Sequence, residues 1–247
     1  MESSPVRRIQ RVRHDIQRRE LHVIDVQPKD QRFVAITFQA ESLKTFVSAS
    51  FDDHVKLMLP DGQGGLIMRD YTPRRFDLAR GELVIEFALH GHGPLSDWAR
   101  QARPGQTLTI GGPRGSMVVP MDYDWHLLVG DDSAWPAIQR RVEELPAAAR
   151  VHVLLQMPQL PTVLPASAAQ IHWQLAVDAP ALEAALRELV LPAGEGFVWC
   201  AGEARVMAGL RDVLIQHKGH PKEAMKVAAY WKEGAAAFHE RLDSEGP

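Results

Sequence analysis

Two different rhythms of apolar and polar positions divide the chain. In the first part, positions 21–26 and 32–38 are strand-like runs separated by the turn-forming Pro28, Lys29 and Asp30. A third short run, 55–59, ends at Pro60 and a glycine-rich turn, 61–65. Positions 68–74, 82–89, 106–110 and 116–119 continue the series, with 82–89 alternating as a half-buried strand does. Short strands separated by turn signals, with little helix, predict a small antiparallel barrel.

The rhythm changes near position 122. Strand-like runs at 126–129, 151–156, 171–175, 197–201 and 226–231 now alternate with helical stretches. Ser133 is placed to cap a helix reaching about Leu145, with Pro136 in its first turn, and further helices are expected over 179–191 and 203–217. Strands alternating with helices predict a parallel sheet flanked by helices. The expected architecture is therefore two-domain, β then α/β. An N-terminal antiparallel six-stranded β-barrel spans residues 1–121, and a C-terminal parallel α/β nucleotide-binding domain spans 122–247.

Composition narrows the function classes. A net charge of -3 over 247 residues argues against a protein that coats nucleic acid. Arg7, Arg8, Arg11, Arg13, Arg18 and Arg19 crowd the start, but Asp15 and Glu20 interrupt them, and a solvated or partly docked segment is expected. The single Cys200 allows no intramolecular disulfide and reads as a small buried hydrophobe. No signal peptide and no apolar run of membrane-crossing length is visible, so a soluble cytoplasmic location without membrane insertion is expected.

Three stretches carry candidate chemistry. Arg69, Tyr71, Thr72 and Arg74 fall within six residues; along an extended strand Arg69 and Tyr71 share one face, Thr72 and Arg74 the other. A fixed cation, a flat ring and a small hydroxyl suit a flavin dinucleotide. His90, Gly91, His92, Gly93, Pro94 and Ser96 form the entrance to a helix, where free amides favour phosphate and Ser96 adds a hydroxyl donor. The two histidines lack a carboxylate or thiol at useful spacing, so no metal site is assigned. Arg114 projects from the tight turn 111–116. In the second part, Gly130, Asp131, Asp132 and Ser133, and later Gly202 and Glu203, stand at strand-to-helix junctions where a dinucleotide-binding sheet holds its ligand.

These stretches, with Phe51-Asp52-Asp53-His54, Lys56-Leu57, Trp199, Ala201-Gly202-Glu203 and Ala229-Tyr230-Trp231, resemble the siderophore-interacting protein family in the family's order. That family comprises flavin-dependent ferric-siderophore reductases of the ferredoxin-reductase-like superfamily, and the likeness is to its NADPH-dependent ferric-chelate reductase type. The resemblance implies an FAD-binding barrel and an NAD(P)H-binding α/β domain. It implies that Arg69 meets FAD phosphate, that Tyr71 packs on the isoalloxazine and that Thr72 approaches the flavin N5. Tyr71 and Thr72 thus sit at the catalytic centre. Arg74, His90, His92, Gly93, Pro94, Ser96, Asp131, Ser133, Gly202, Glu203 and Trp231 join the cofactor-binding set. Lys56, Arg114 and Lys226 are implied as a basic triad for an anionic, catecholate-type ferric siderophore.

Hydride transfer from NAD(P)H to FAD, followed by one-electron reduction of Fe(III), is the implied reaction. The family's acidic residue after the second α/β strand is missing from Gln156-Met157-Pro158-Gln159, which favours NADPH over NADH, with Arg205, Arg211 or Lys218 as counter-charge for the 2′-phosphate. A monomer is expected. The competing readings are a general NAD(P)H:flavin or quinone reductase, and a flavin-containing ferric-siderophore binding protein without turnover.

Overall fold

The computed structural model describes residues 8–89, 93–235 and 240–241. Strands in chain order are β1 (Gln10–Arg13), β2 (Arg18–Pro28), β3 (Phe33–Gln39), β4 (Val55–Pro60), β5 (Leu66–Tyr71), β6 (Pro73–Asp77), β7 (Glu82–Ala88), β8 (Thr107–Gly111) and β9 (Gly115–Val118). After these come β10 (Trp125–Asp131), β11 (Arg150–Gln156), β12 (Gln170–Ala176), β13 (Gly196–Glu203), β14 (Met225–Trp231) and β15 (Glu240–Arg241). The α-helices are α1 (Pro94–Gln101), α2 (Trp135–Glu144), α3 (Ala179–Glu188) and α4 (Ala204–Asp212), the last continued by a wider π turn over Val213–His217.

The antiparallel part is a seven-stranded sheet in the order β5-β4-β8-β2-β3-β7-β6. This corrects the expectation of six strands. The run 68–74 is not one strand: Thr72 lies between β5 and β6, and Tyr71, Thr72, Pro73 and Arg74 are all at least half-buried, which strict alternation forbids. The run 116–119 leaves the sheet and its strand β9 pairs with β1, a strand the apolar pattern missed because all four of its residues are exposed. Since β5 and β6 are the two edges and are consecutive in the chain, the sheet curls until its edges meet at Thr72. Its interior is filled by Leu21, Ile36, Phe38, Val55, Leu57, Ile85, Phe87 and Ile110.

The second sheet runs β12-β11-β10-β13-β14-β15, parallel except for β15. Strand β10 is buried over its first six positions, as expected when helices cover both faces. Helices α3 and α4 pack on one face over Leu127, Val129, Val198, Cys200 and Val227. Helix α2 lies on the other, in a core that also contains Phe33 and Phe51 from the antiparallel part.

Beside that shared apolar core, the contact between the two parts carries a set of polar bonds. On α2, Gln139 donates to Glu86 (2.9 Å), Arg140 to the Ser48 hydroxyl (2.8 Å) and the Pro73 carbonyl (3.1 Å), and Arg141 to the carbonyls of Val119 and Pro120 (3.3 and 2.7 Å). Glu143 accepts from Arg74 and Arg75. Buried polar groups are tolerated only when paired, so these bonds fix the register of α2 on the barrel. At the N-terminal end, Arg8 pairs with Asp122 and Glu195, and Arg19 donates to Ser42 O, Gly112 O and Gln17. Part of the arginine-rich start is thus docked.

His126, fully buried in β10, is held at a pKa of about 4 by burial and by the nearby Arg141 charge. The unfolded chain takes up this proton near pH 6.5 and the folded one does not. Stability is therefore expected to be intact above pH 6.5 and to fall as pH drops toward 4, by about 3 kcal/mol. Urea midpoints between pH 7 and 4 check this; His126→Leu should flatten that part of the curve, and an unchanged slope would refute the assignment.

Candidate functional site

At the seam of the barrel, Tyr71 closes β5 opposite Val55 of β4, and its ring packs on Phe87 with centroids 4.6 Å apart. Phe87 meets Trp98 at 5.9 Å and Trp98 meets Phe38 at 6.4 Å, so a run of rings ties the seam to α1. Burial raises the Tyr71 phenol pKa above its ordinary value despite Arg69, keeping it neutral. Thr72 is buried beside it, and Arg69 donates to its neighbour's carbonyl, Met68 O.

The strand-to-helix turn leading into α1 has Gly93 as a cap that offers no side-chain bond. Its first-turn amides are left uncapped, while Asp178 caps α3 and Glu203 caps α4. The buried Ser96 hydroxyl donates to Gly93 O at 3.0 Å, bracing the start of α1. His90 and His92 lie outside the described residues. Among those described, no group of three or more His, Cys, Asp or Glu could hold a metal ion.

Arg74 faces α2. Its guanidinium is buried and bidentate on Glu143 (2.7 and 2.6 Å), with Gln139 at 3.4 Å and Glu86 at 3.9 Å. It joins the seam to α2, while its Nε makes no hydrogen bond among the described residues.

In the parallel sheet, β11 and β12 extend to one side of β10 while β13 and β14 extend to the other. The crevice above β10 and β13 is thus the topological switch point, where open α/β sheets bind ligands. Asp131, Ser133, Gly202, Glu203 and Trp231 meet there. One oxygen of Asp131 accepts from the amide and hydroxyl of Ser133; the other accepts from the Glu203 amide (3.2 Å) and the Trp231 indole (2.8 Å). A Cβ on Gly202 would lie 2.7 Å from that carboxylate, and one on Gly130 would lie 2.3 Å from the Ala134 methyl. Ser133 therefore does not cap α2, which begins at Trp135 after an uncapped Ala134. Arg32, which sequence reasoning passed over, reaches this edge from β3's approach, binding Asp132 (3.0 Å) and Gln159 O (2.9 Å). An arginine just before an apolar strand carries no signal of such a reach.

The three cations of the triad are arranged around one loop. Asp52 holds Lys226; His54 O lies 3.7 Å from a Cβ placed on Gly112, two residues before Arg114; and Lys56 follows in β4. Two of them are neutralised within the protein, Lys56 by Asp70 at 2.9 Å and the half-buried Lys226 by Asp52. Burial pushes Asp52 up, yet Lys226 and hydrogen bonds from Ser50 and Trp199 bring its pKa below the ordinary value. Among the 2′-phosphate candidates, Lys218 is engaged by the carbonyls of Arg187 and Leu189, and Arg211 is half-buried. Arg205 is exposed at the start of α4, lining a groove of about 460 Å³ between α3 and α4.

Comparison with known proteins agrees with this geometry. The model of the siderophore-interacting FAD-binding domain matches residues 62–117, and that of the siderophore-interacting protein matches 123–234. The chain is 36% identical to the NADPH-dependent ferric-chelate reductase of Escherichia coli, over 90% of this chain and 96% of that one. It is 28% identical to the ferric vibriobactin reductase ViuB of Vibrio cholerae, over 85% and 88%. A siderophore utilization protein from T. fusca superposes with a TM-score of 0.83 at 30% identity, covering 94% of this chain and 99% of the other. With its motifs in order and relatives matched along nearly their whole length, the chain belongs to the siderophore-interacting protein family.

Proposed function

We propose that this chain is an NADPH-dependent, FAD-containing ferric-siderophore reductase acting in the cytoplasm as a monomer, with an FAD-binding part over 1–121 and a nucleotide-binding part over 122–247. The observation that carries this reading is the single helix linking two binding regions. α2 starts beside the switch-point carboxylate Asp131 and ends on the barrel seam through Arg140, Gln139 and Glu143. FAD, when bound, would supply the redox chemistry: two-electron acceptance from NADPH and one-electron donation to the chelated Fe(III).

The residues present fit that cofactor. Tyr71 offers a neutral ring beside the seam and Thr72 a hydroxyl. Arg69 supplies a cation, and the uncapped start of α1 offers amides for the pyrophosphate. At the switch point Asp131 accepts from the Trp231 indole and so orients that ring at the end of β14. No protein group has to ligate iron, since hard anionic oxygen ligands release Fe(II) far more readily than Fe(III). The substrate is an anionic, catecholate-type ferric siderophore.

NADPH is the preferred donor because β11 ends in Gln156, which does not repel a 2′-phosphate, and Arg205 is an exposed cation at the start of α4, just after the ligand end of β13. Stopped-flow reduction of the flavin by NADPH and NADH, followed by reoxidation with ferric catecholate, tests the whole reading. Arg205→Gln should weaken NADPH about tenfold and leave NADH unchanged, the loss of one charge-assisted contact. Flavin that neither nucleotide bleaches would end the reductase assignment.

A further inference from the structure

The arginine-rich N-terminal segment is built into the surface beside the seam. Arg18 opens β2 opposite Gly111, and Lys56 of β4 lies opposite the same glycine from its other side. Partners directly opposite one another share a face. Arg18 and Lys56 therefore project on the same side, both exposed, about 10 Å apart, with the Met58 side chain lying over the glycine between them, its methyl 2.8 Å from where a Gly111 Cβ would sit. That row continues to Asp70, the residue before Tyr71. The segment then tracks the turn that carries Arg114: Arg13 pairs with Gly115, the His14 amide donates to Arg114 O (3.0 Å) and the Gly112 amide donates to Gln17 O (3.1 Å).

Charge is unevenly distributed along this row. Lys56 and Lys226 are paired with Asp70 and Asp52. Among the described residues neither Arg18 nor Arg114 makes an ion pair; the Arg18 guanidinium meets the Met58 thioether at 3.4 Å. Of the four cations Arg18, Lys56, Arg114 and Lys226, the two without an ion pair among the described residues are thus Arg18 and Arg114.

We infer that Arg18 is a substrate-recognition residue: with Arg114 it forms a cationic ledge, floored by the Met58 side chain over Gly111, that receives a bulky polyanionic metal chelate beside the seam. The inference rests on the reductase reading. An exposed charge of this kind governs encounter and salt dependence more than chemistry, so its mark is an affinity that depends on ligand charge.

The test is calorimetric titration of the FAD-loaded protein with the redox-inert gallium(III) chelate of a tris-catecholate, net charge three minus, and with a neutral gallium(III) tris-hydroxamate. Arg18→Glu should weaken the trianion about tenfold at low salt, and Arg18→Gln about threefold. Arg18→Lys should restore it, and the neutral chelate should bind all four proteins alike. The difference should shrink above about 0.3 M salt. Equal affinity of wild type and Arg18→Glu for the trianion, or equal loss for both chelates, overturns the ledge. Wild type that binds the gallium trianion but does not reduce its ferric counterpart with NADPH would refute the reductase reading alone.

Discussion

Arg74→Ala is expected to lower the free energy of unfolding by about 3–5 kcal/mol, the cost of removing one member of a buried ion pair. Arg74 is 5% exposed and holds Glu143 with two bonds while lying 3.9 Å from Glu86, itself 6% exposed. Without the guanidinium, Glu143 retains Arg75, and Glu86 retains the Gln139 amide. Burial already raises the Glu86 pKa against the pull of Gln139 and Arg74. A raised carboxyl pKa means that stability falls as pH climbs from the unfolded value of 4.5 toward the folded one. Removing Arg74 should widen that window. Urea unfolding followed by tryptophan fluorescence measures both effects. Arg75→Ala is the control: it binds the same carboxylate from a side chain 64% exposed and should cost under about 1 kcal/mol. Equal losses in the two variants would remove the buried pair as the cause.

Lys226→Met should cost about 3 kcal/mol, because Asp52 is then left buried with only hydrogen bonds to hold its charge. The folded Asp52 pKa lies below its unfolded 3.8, so the pair's contribution is present above that pH and is lost as pH falls through the folded value. In the variant burial acts unopposed and the Asp52 pKa should rise. Adding Asp52→Asn should recover most of the stability, since neither side chain then carries an unpaired charge. The kinetic consequence separates two roles for one lysine. As a structural partner of Asp52, Lys226 contributes little to KM for an anionic chelate once protein stability is controlled. A tenfold rise in KM in the double variant, with stability restored, would instead make Lys226 a direct substrate contact.

The sequence revealed the two halves clearly, since their signals are local. Alternation marks half-buried strands, and continuous apolar runs such as 126–129 mark strands covered on both faces. The corner at Thr72 was invisible because its residues are individually compatible with one extended strand; only the meeting of two sheet edges breaks it. Strand β1 was missed since an exposed ribbon carries no apolar pattern. Among the candidate site residues, Asp131, Ser133, Gly202, Glu203 and Trp231 lie far apart in the chain and meet at one crevice, a grouping that depends on strand order. Residue type reveals what a side chain can bind but not its partners within the fold: Arg74 is held by Glu143 and Ser96 by the Gly93 carbonyl.

The seam also sets where the chain tolerates changes in length. Thr72 is the sole residue between two strands that are the opposite edges of one sheet. Inserting one residue there would slip β6 against β7, exchanging its inward and outward side chains and swinging Arg74 away from Glu143. The turn over 61–65 joins neighbouring strands on the surface and carries no such penalty. Loop grafts and tags therefore belong at 61–65, while the spacing from Tyr71 to Arg74 is a fixed ruler between the barrel and α2.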